Sequence, residues 1–439
     1  MRKFFANYGM ILVLVLLCAF FSVVTIQKES AIGVGAAETT VESLVESAGK
    51  DDRIVVVGGA RSESADFVRM VSSRLEEAGF TKVIKVIGTP RDFVVKMEEL
   101  EQVGTPAAVL IGGGDVTKWT AWENIISESS DLNVVIPEEK IYSAFLRKGN
   151  LVAVVDRIVV IAVIAIGMTL IILTGGIDLS VGSLLALAAV ISTLIMKWLG
   201  GLDAPAWVVW LGFFGGVSAC GLIGLTGGLL VAWFRVAPFI ATLAIMMMAR
   251  GLAFILTGGF SVYQVPESLT WLGQGKTLGI PNTVVILVVL YVAAHLFMAH
   301  TRFGRYIYAV GGNREAARLS GVPVKWMLIF VYFVGGLTAG FAGCIQASQL
   351  NSGAPNLGTM FELYVIAAVV VGGTSLSGGS GKIFATLIGA FIISVIQNGM
   401  NLLGFESYTQ TVVLGAVILI SVLIDKIRTS GGLVKLLLE

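Results

Sequence analysis

Long apolar runs alternate with short polar breaks along most of the chain. Runs near the ~20 residues that a membrane-spanning helix needs lie at 9–26, 152–174, 181–199, 207–232, 236–258, 281–300, 326–346, 383–404 and 408–425, with a shorter one at about 361–373. They predict an α-helical polytopic membrane protein of about 10 transmembrane helices. Residues 27–149 break the pattern. Short apolar blocks at 53–59, 82–88, 107–114 and 133–137 read as buried strands, separated by amphipathic stretches at 64–79, 91–102 and 117–129. Such alternation implies a small parallel α/β sandwich inserted between helices 1 and 2. The expected organisation is a first transmembrane helix (1–26), the α/β insert (27–149), a main transmembrane domain (150–428) and a tail (429–439).

Composition sharpens this division. The chain is 56% hydrophobic and 13% charged, against about 25% charged in soluble proteins. Residues 27–150 hold 14 of the 30 Lys and Arg and 20 of the 29 Asp and Glu, so this segment is exposed to water. The first run follows Met1-Arg-Lys and has a longer apolar core than a cleaved signal, which favours a retained anchor. With ten crossings starting inside, the inner loops and termini contain Arg2, Lys3, Arg235, Arg302, Arg305, Arg314, Arg318, Lys325, Lys382, Lys426, Arg428 and Lys435. The short outer loops contain Lys197 and Lys276. Positive residues stay cytoplasmic, so both termini are expected inside and the insert outside, on the periplasmic face. Cys18, Cys220 and Cys344 lie within apolar runs as small hydrophobes. They give no disulfide framework, and with only His295 and His300 beside them no metal site or cofactor is expected.

One motif occurs twice. Thr174-Gly-Gly-Ile-Asp-Leu-Ser-Val-Gly-Ser183 and Val371-Gly-Gly-Thr-Ser-Leu-Ser-Gly-Gly-Ser380 share GGxxLSxGS. Six crossings separate the copies, so the repeat is parallel, with two halves related by an axis along the membrane normal. Paired glycines interrupt a helix, and irregular backbone at membrane depth is tolerated where it is packed in protein or lines a wet cavity. Gly175, Gly176, Asp178, Ser180, Gly372, Gly373, Ser375 and Ser377 are therefore candidates for the substrate pathway. Asp178 is either a helix cap or a pore contact. Arg250 is a partner for Asp178, a partner for a carbonyl cluster, or a ligand contact. Asn398, with Gln346, Asn351 and Gln397, is a further candidate for the path. The glycines of the fourth run, from Gly215 to Gly228, read as helix-packing residues.

The most basic inner loop, 301–325, contains Glu315-Ala-Ala-Arg-Leu-Ser-Gly321, a short helix-forming stretch suited to docking in a partner's groove. Here the chain resembles the ribose-type, or monosaccharide-type, family of bacterial ABC importer permeases, in which EAAxxxG engages the ATPase. The resemblance extends through Ile166-Gly-Met-Thr-Leu170, the first motif, Pro238-Phe-Ile-Ala-Thr-Leu243, Arg250-Gly-Leu252, Ala309-Val-Gly-Gly-Asn313 and the second motif, covering 150–427 in family order.

It implies a non-catalytic permease in the bacterial inner membrane that carries a monosaccharide. The implied partners are a second copy of the chain, a cytoplasmic tandem-domain ABC ATPase and a periplasmic sugar-binding protein, all within a lipid bilayer and with no nucleic acid. The implied coupling residues are Arg305, Gly312, Asn313, Glu315, Ala316, Ala317 and Gly321. Two features depart from the family: Tyr364 stands where an acidic residue is common, and the insert is extra. The insert resembles half of one lobe of a periplasmic sugar-binding protein and reads equally as a docking insert. Its Gly58-Gly59 and Gly112-Gly-Gly-Asp115 end strands where α/β sheets bind ligands.

Rival readings find less support. Leu376-Ser-Gly-Gly379 and Gly381-Lys382 mimic ATPase motifs, but Leu376 stands where a phosphate loop needs glycine and Ile383 where it needs Ser or Thr. An ion-coupled secondary transporter of a small polar solute usually holds several intramembrane carboxylates, whereas Asp178 is nearly alone here. No paired carboxylates or activated nucleophile suggest an enzyme.

Overall fold

The computed structural model describes residues 2–429 except 61, 115, 130, 131 and 264. Asp115, Lys435 and the tail beyond 429 lie outside the described residues. The chain forms two compact units, one of Val23–Arg147 and the other of the residues up to Ser22 together with those from Lys148 onward.

The long first helix α1 (Arg2–Val24) leads into the smaller unit. That unit runs β1 (Ile26–Ser30), α2 (Val34–Ser47), β2 (Ile54–Gly59), α3 (Ser62–Glu77), β3 (Val83–Gly88), α4 (Pro90–Gln102), β4 (Val109–Gly112), α5 (Thr120–Glu128), β5 (Asn133–Val135) and β6 (Glu139–Ser143). Its central sheet is parallel throughout, in the order β3-β2-β4-β5. Side chains alternate across a strand. Ile54, Val56 and Ile111 face Leu44, Phe67, Val71 and Leu75 of α2 and α3, while Val55, Val57 and Leu110 face Phe93 and Trp122 of α4 and α5. Helices on both faces explain why the central strands are apolar without alternation. β1 and β6 pair antiparallel, Ile26 opposite Ser143, so the points where the chain enters and leaves the unit are neighbours. α2 and this ribbon are not legible in the sequence reading. Pro90 at the first turn of α4 and a reciprocal Thr89–Asp92 capping box fix that helix start.

The second unit is helical. It comprises α6 (Lys148–Leu173), α7 (Val181–Trp198), α8 (Ala206–Ala232), α9 (Pro238–Thr257), α10 (Glu267–Gln274), α11 (Asn282–His300), α12 (Arg302–Gly312), α13 (Arg314–Leu319), α14 (Val324–Leu350), α15 (Phe361–Val371), α16 (Ile383–Leu402) and α17 (Ser407–Thr429). Among the described residues seven helices, α6 to α9, α11, α14 and α16, are long and apolar enough to cross a membrane. Shorter apolar stretches lie in α1, α15 and α17. From Ile158 to Leu173, α6 is buried on every side, as expected of the central helix of a bundle. α8 and α14 meet backbone to backbone: a Cβ on Gly228 would stand 2.7 Å from Ile329 Cα, and one on Gly340 2.9 Å from Val217 Cα. Small residues at such a seam replace the hydrophobic drive that lipid cannot supply. α1 belongs to this bundle, with Phe21 buried against Gly399 of α16.

Candidate functional site

The two motif copies meet at one end of the bundle. The loop after α6 and the loop after α15 join where the Gly379 N–H donates to Leu173 O at 2.9 Å. Close by, the Thr169 and Thr386 hydroxyls are 2.9 Å apart. Each copy uses one of its paired glycines in the left-handed region, Gly175 at φ 75° and Gly373 at φ 81°, a conformation costly for any residue with a Cβ. Gly176 leaves room for the buried Tyr332 hydroxyl, which would stand 2.6 Å from a Cβ there and has no hydrogen-bond partner. Gly372 packs against the α16 backbone at Thr386. Ser375 closes a tight turn, its N–H donating to Ser380 O at 3.0 Å, while the Ser377 N–H donates to Ser375 Oγ at 3.4 Å.

Asp178 is buried, and its Oδ1 accepts from both the N–H (2.8 Å) and the hydroxyl (2.6 Å) of Ser180. It braces the turn that enters α7, and Ser180, the residue before that helix, turns its hydroxyl back to Asp178. Arg250 points elsewhere, donating from Nη1 to Pro355 O at 2.8 Å and Leu357 O at 2.6 Å. Of its expected partners, the carbonyl cluster is the one observed. Asn398 forms a reciprocal amide pair with Asn150, at 2.8 and 3.0 Å, clasping α16 to α6.

The segment expected to dock an ATPase packs on this same joint. Gly311 lies so close to Leu173 O and Gly379 N that a Cβ would collide with both. Arg314 Nη2 donates to Thr174 O at 2.9 Å, and the Tyr308 hydroxyl donates to Gly381 O at 2.8 Å. Beyond this joint α13 is open. Asn313 accepts from the Ala316 N–H at 3.0 Å to cap it, Ala317 is its buried anchor, and Gly321 at φ 81° ends it. Arg305, Gly312, Glu315 and Ala316 are exposed, and Glu315 pairs with Arg318 at 2.9 Å. Gly311 and Arg314 were read in the sequence as parts of the docking loop and its family match, not as contacts of the doubled motif, and Tyr308 and Tyr332 were not singled out.

The other end of the bundle holds a cavity of about 850 Å³, within the ~300–1,000 Å³ range of small-molecule sites. Its wall comes from Asp156 and Arg157 on α6, Gln346 and Gln349 on α14, Gln397 and Asn401 on α16, and Ser407 and Gln410 on α17. α15 contributes Phe361 and Tyr364, ring centroids 6.1 Å apart. Thr283 donates to Asp156 Oδ1 at 2.7 Å, and Gln349 Nε2 donates to Asp156 O at 3.0 Å. From Asp156 to Leu173, α6 carries the chain roughly 25 Å at 1.5 Å per residue, so cavity and joint lie at opposite ends of one buried helix. Gln346 and Gln397 were expected on the path and line this cavity, whereas the motif residues do not.

A family profile described as "Branched-chain amino acid transport system / permease component" matches residues 150–422. The chain belongs to this family of permeases. It is 46% identical over 285 residues to the ribose import permease protein RbsC of Escherichia coli K12, covering 64% of this chain and 87% of that protein. It is 37% identical over 297 residues to the L-arabinose ABC transporter permease protein AraH of Azospirillum brasilense, covering 68% and 84%. The D-allose transport system permease protein AlsC of E. coli K12 is 35% identical over 283 residues, covering 64% and 85%. These similarities make it a monosaccharide-type ABC importer permease, a multi-pass protein of the inner membrane. No solved structure matches. The profile begins at residue 150, leaving the α/β unit outside the matched residues.

Proposed function

We propose that this permease carries a monosaccharide through the helical unit, entering by the cavity and leaving through the joint of the two motif copies. The observation that carries the proposal is the cavity itself: amides and hydroxyls that both donate and accept surround an aromatic pair. This suits a ring with polar edges and apolar faces. The permease relatives named for ribose, allose and arabinose support the same class of cargo. A homodimer binds a tandem-domain ATPase through α13, and a periplasmic binding protein delivers the sugar. Ten crossings put both termini in the cytoplasm and the insert in the periplasm.

Within the insert, Ile32 packs over Gly113 and Gly114, where an added Cβ would stand 3.1 and 3.2 Å from its side chain, and Ser64 Oγ takes the Gly59 N–H at 2.9 Å. Strand ends occupied by the unit's own chain favour docking over ligand binding. The test is uptake of labelled pentoses and hexoses into right-side-out vesicles carrying the complete complex. Accumulation that requires ATP inside and survives a protonophore supports the proposal. Accumulation without ATP that collapses with the ion gradient refutes it in favour of a secondary transporter.

A further inference from the structure

We propose that the sugar carried by this chain bears a carboxylate, as a uronic or aldonic acid does, and that Arg157 is the group that receives it. The inference rests on the importer reading above and narrows its cargo. Arg157 lines the cavity and is exposed to it, and no ion pair engages it among the described residues. Asp156, its neighbour in the chain, does not answer it. Consecutive residues on a helix point about 100° apart, and Asp156 Oδ1 is taken by the Thr283 hydroxyl at 2.7 Å.

The rest of the wall carries no other charge, being built from amides, hydroxyls and apolar groups. On α15 the cavity is met by the Tyr364 phenol, so apart from Asp156 no carboxylate of the wall stands to balance Arg157 or repel an anion. Glu362, two residues away on α15, lies against Gly182 and outside the cavity wall. A guanidinium in a cleft with low-dielectric walls focuses its field on the space before it. Its fork of N–H groups matches a carboxylate in two parallel hydrogen bonds. The glutamines on α14 and α16 are left for the sugar's hydroxyls.

The experiment compares uptake of matched labelled pairs, glucose with glucuronate, galactose with galacturonate and ribose with ribonate. It uses vesicles carrying the full chain with the partners that co-purify with it. At least one acid should enter tenfold or more faster than its neutral counterpart. Arg157→Gln should remove at least nine-tenths of that uptake, Arg157→Lys should restore part of it, and Tyr364→Asp should lower it, all at unchanged yield of assembled complex. Entry of a neutral sugar in preference to its acid overturns the carboxylate while leaving the importer reading intact. Acid uptake that Arg157→Gln does not alter overturns the assignment of Arg157. Entry of neither member of any pair into vesicles with an active ATPase overturns the importer reading as well.

Discussion

The two ends of α6 are built on opposite principles. At the cavity, long polar side chains on the ends of α6, α14, α16 and α17 stand back from one another and leave about 850 Å³ between them. At the joint, glycines bring backbone against backbone, and the hydrogen bonds are made by carbonyls and N–H groups with Arg314 and Tyr308 reaching in. A surface of side chains can be retuned one residue at a time, as suits recognition of a cargo. A backbone joint has few alternative packings, as suits a part that switches between discrete states. Substitutions should therefore differ in kind at the two ends: graded and ligand-dependent at the cavity, all-or-none and ligand-independent at the joint.

Gly311→Ala should have the largest effect. Its Cβ meets backbone on both sides, and relief of such overpacking typically costs about 1–3 kcal/mol. We expect transport to fall at least tenfold for every cargo, with a lower melting temperature of the purified chain. Arg314→Gln should come next. It removes a charge-assisted bond to Thr174 O, of a kind worth about 1.5–3 kcal/mol. ATPase binding should persist while sugar moved per ATP hydrolysed falls severalfold, measured in reconstituted vesicles. Gln349→Ala should raise the KM for uptake a few-fold with little change in maximal rate, because it thins the cavity wall and leaves the joint intact.

The smallest effect is expected in the insert. Hydrogen bonds from the Thr89 N–H and hydroxyl hold the Asp92 carboxyl below its usual pKa. The stabilisation is present above the unfolded-state value and is lost as pH falls through the lower folded value. Thr89→Ala should lower the unfolding temperature of the insert slightly at pH 7 and flatten its acid dependence, as read by circular dichroism.

The long helices were legible because twenty apolar residues in a row have one stable home in a bilayer. Predicted and observed limits agree closely, as with 207–232 against Ala206–Ala232. The insert's strands were legible for a related reason, since a sheet covered on both faces needs uninterrupted apolar blocks. α2 was not, because VGAAETTVESLVES mixes small and polar residues and its burial depends on the facing side of α3. The doubled motif was legible as a pattern, but its docking partner was not. The contact of Gly311 with Leu173 joins residues 138 apart in the chain, and nothing local announces it. Arg157 and Tyr364 escaped as cavity residues for the same reason, since which face of α6 or α15 meets the cavity depends on neighbours supplied by α14, α16 and α17.

In the proposed importer, α13 is the site where an ATPase engages. Glu315 is exposed, and its pairing with Arg318 is a surface ion pair worth at most about 1 kcal/mol, so reversing its charge tests docking without unfolding the chain. The most direct measurement is to purify tagged chain, wild type and Glu315→Lys, in mild detergent from cells that also express its neighbouring genes, and to identify what accompanies each. A tandem-domain ATPase that accompanies wild type and is lost from an otherwise stable Glu315→Lys protein is the predicted result. A chain that transports sugar unaided, with no ATPase bound in either form, would contradict the account.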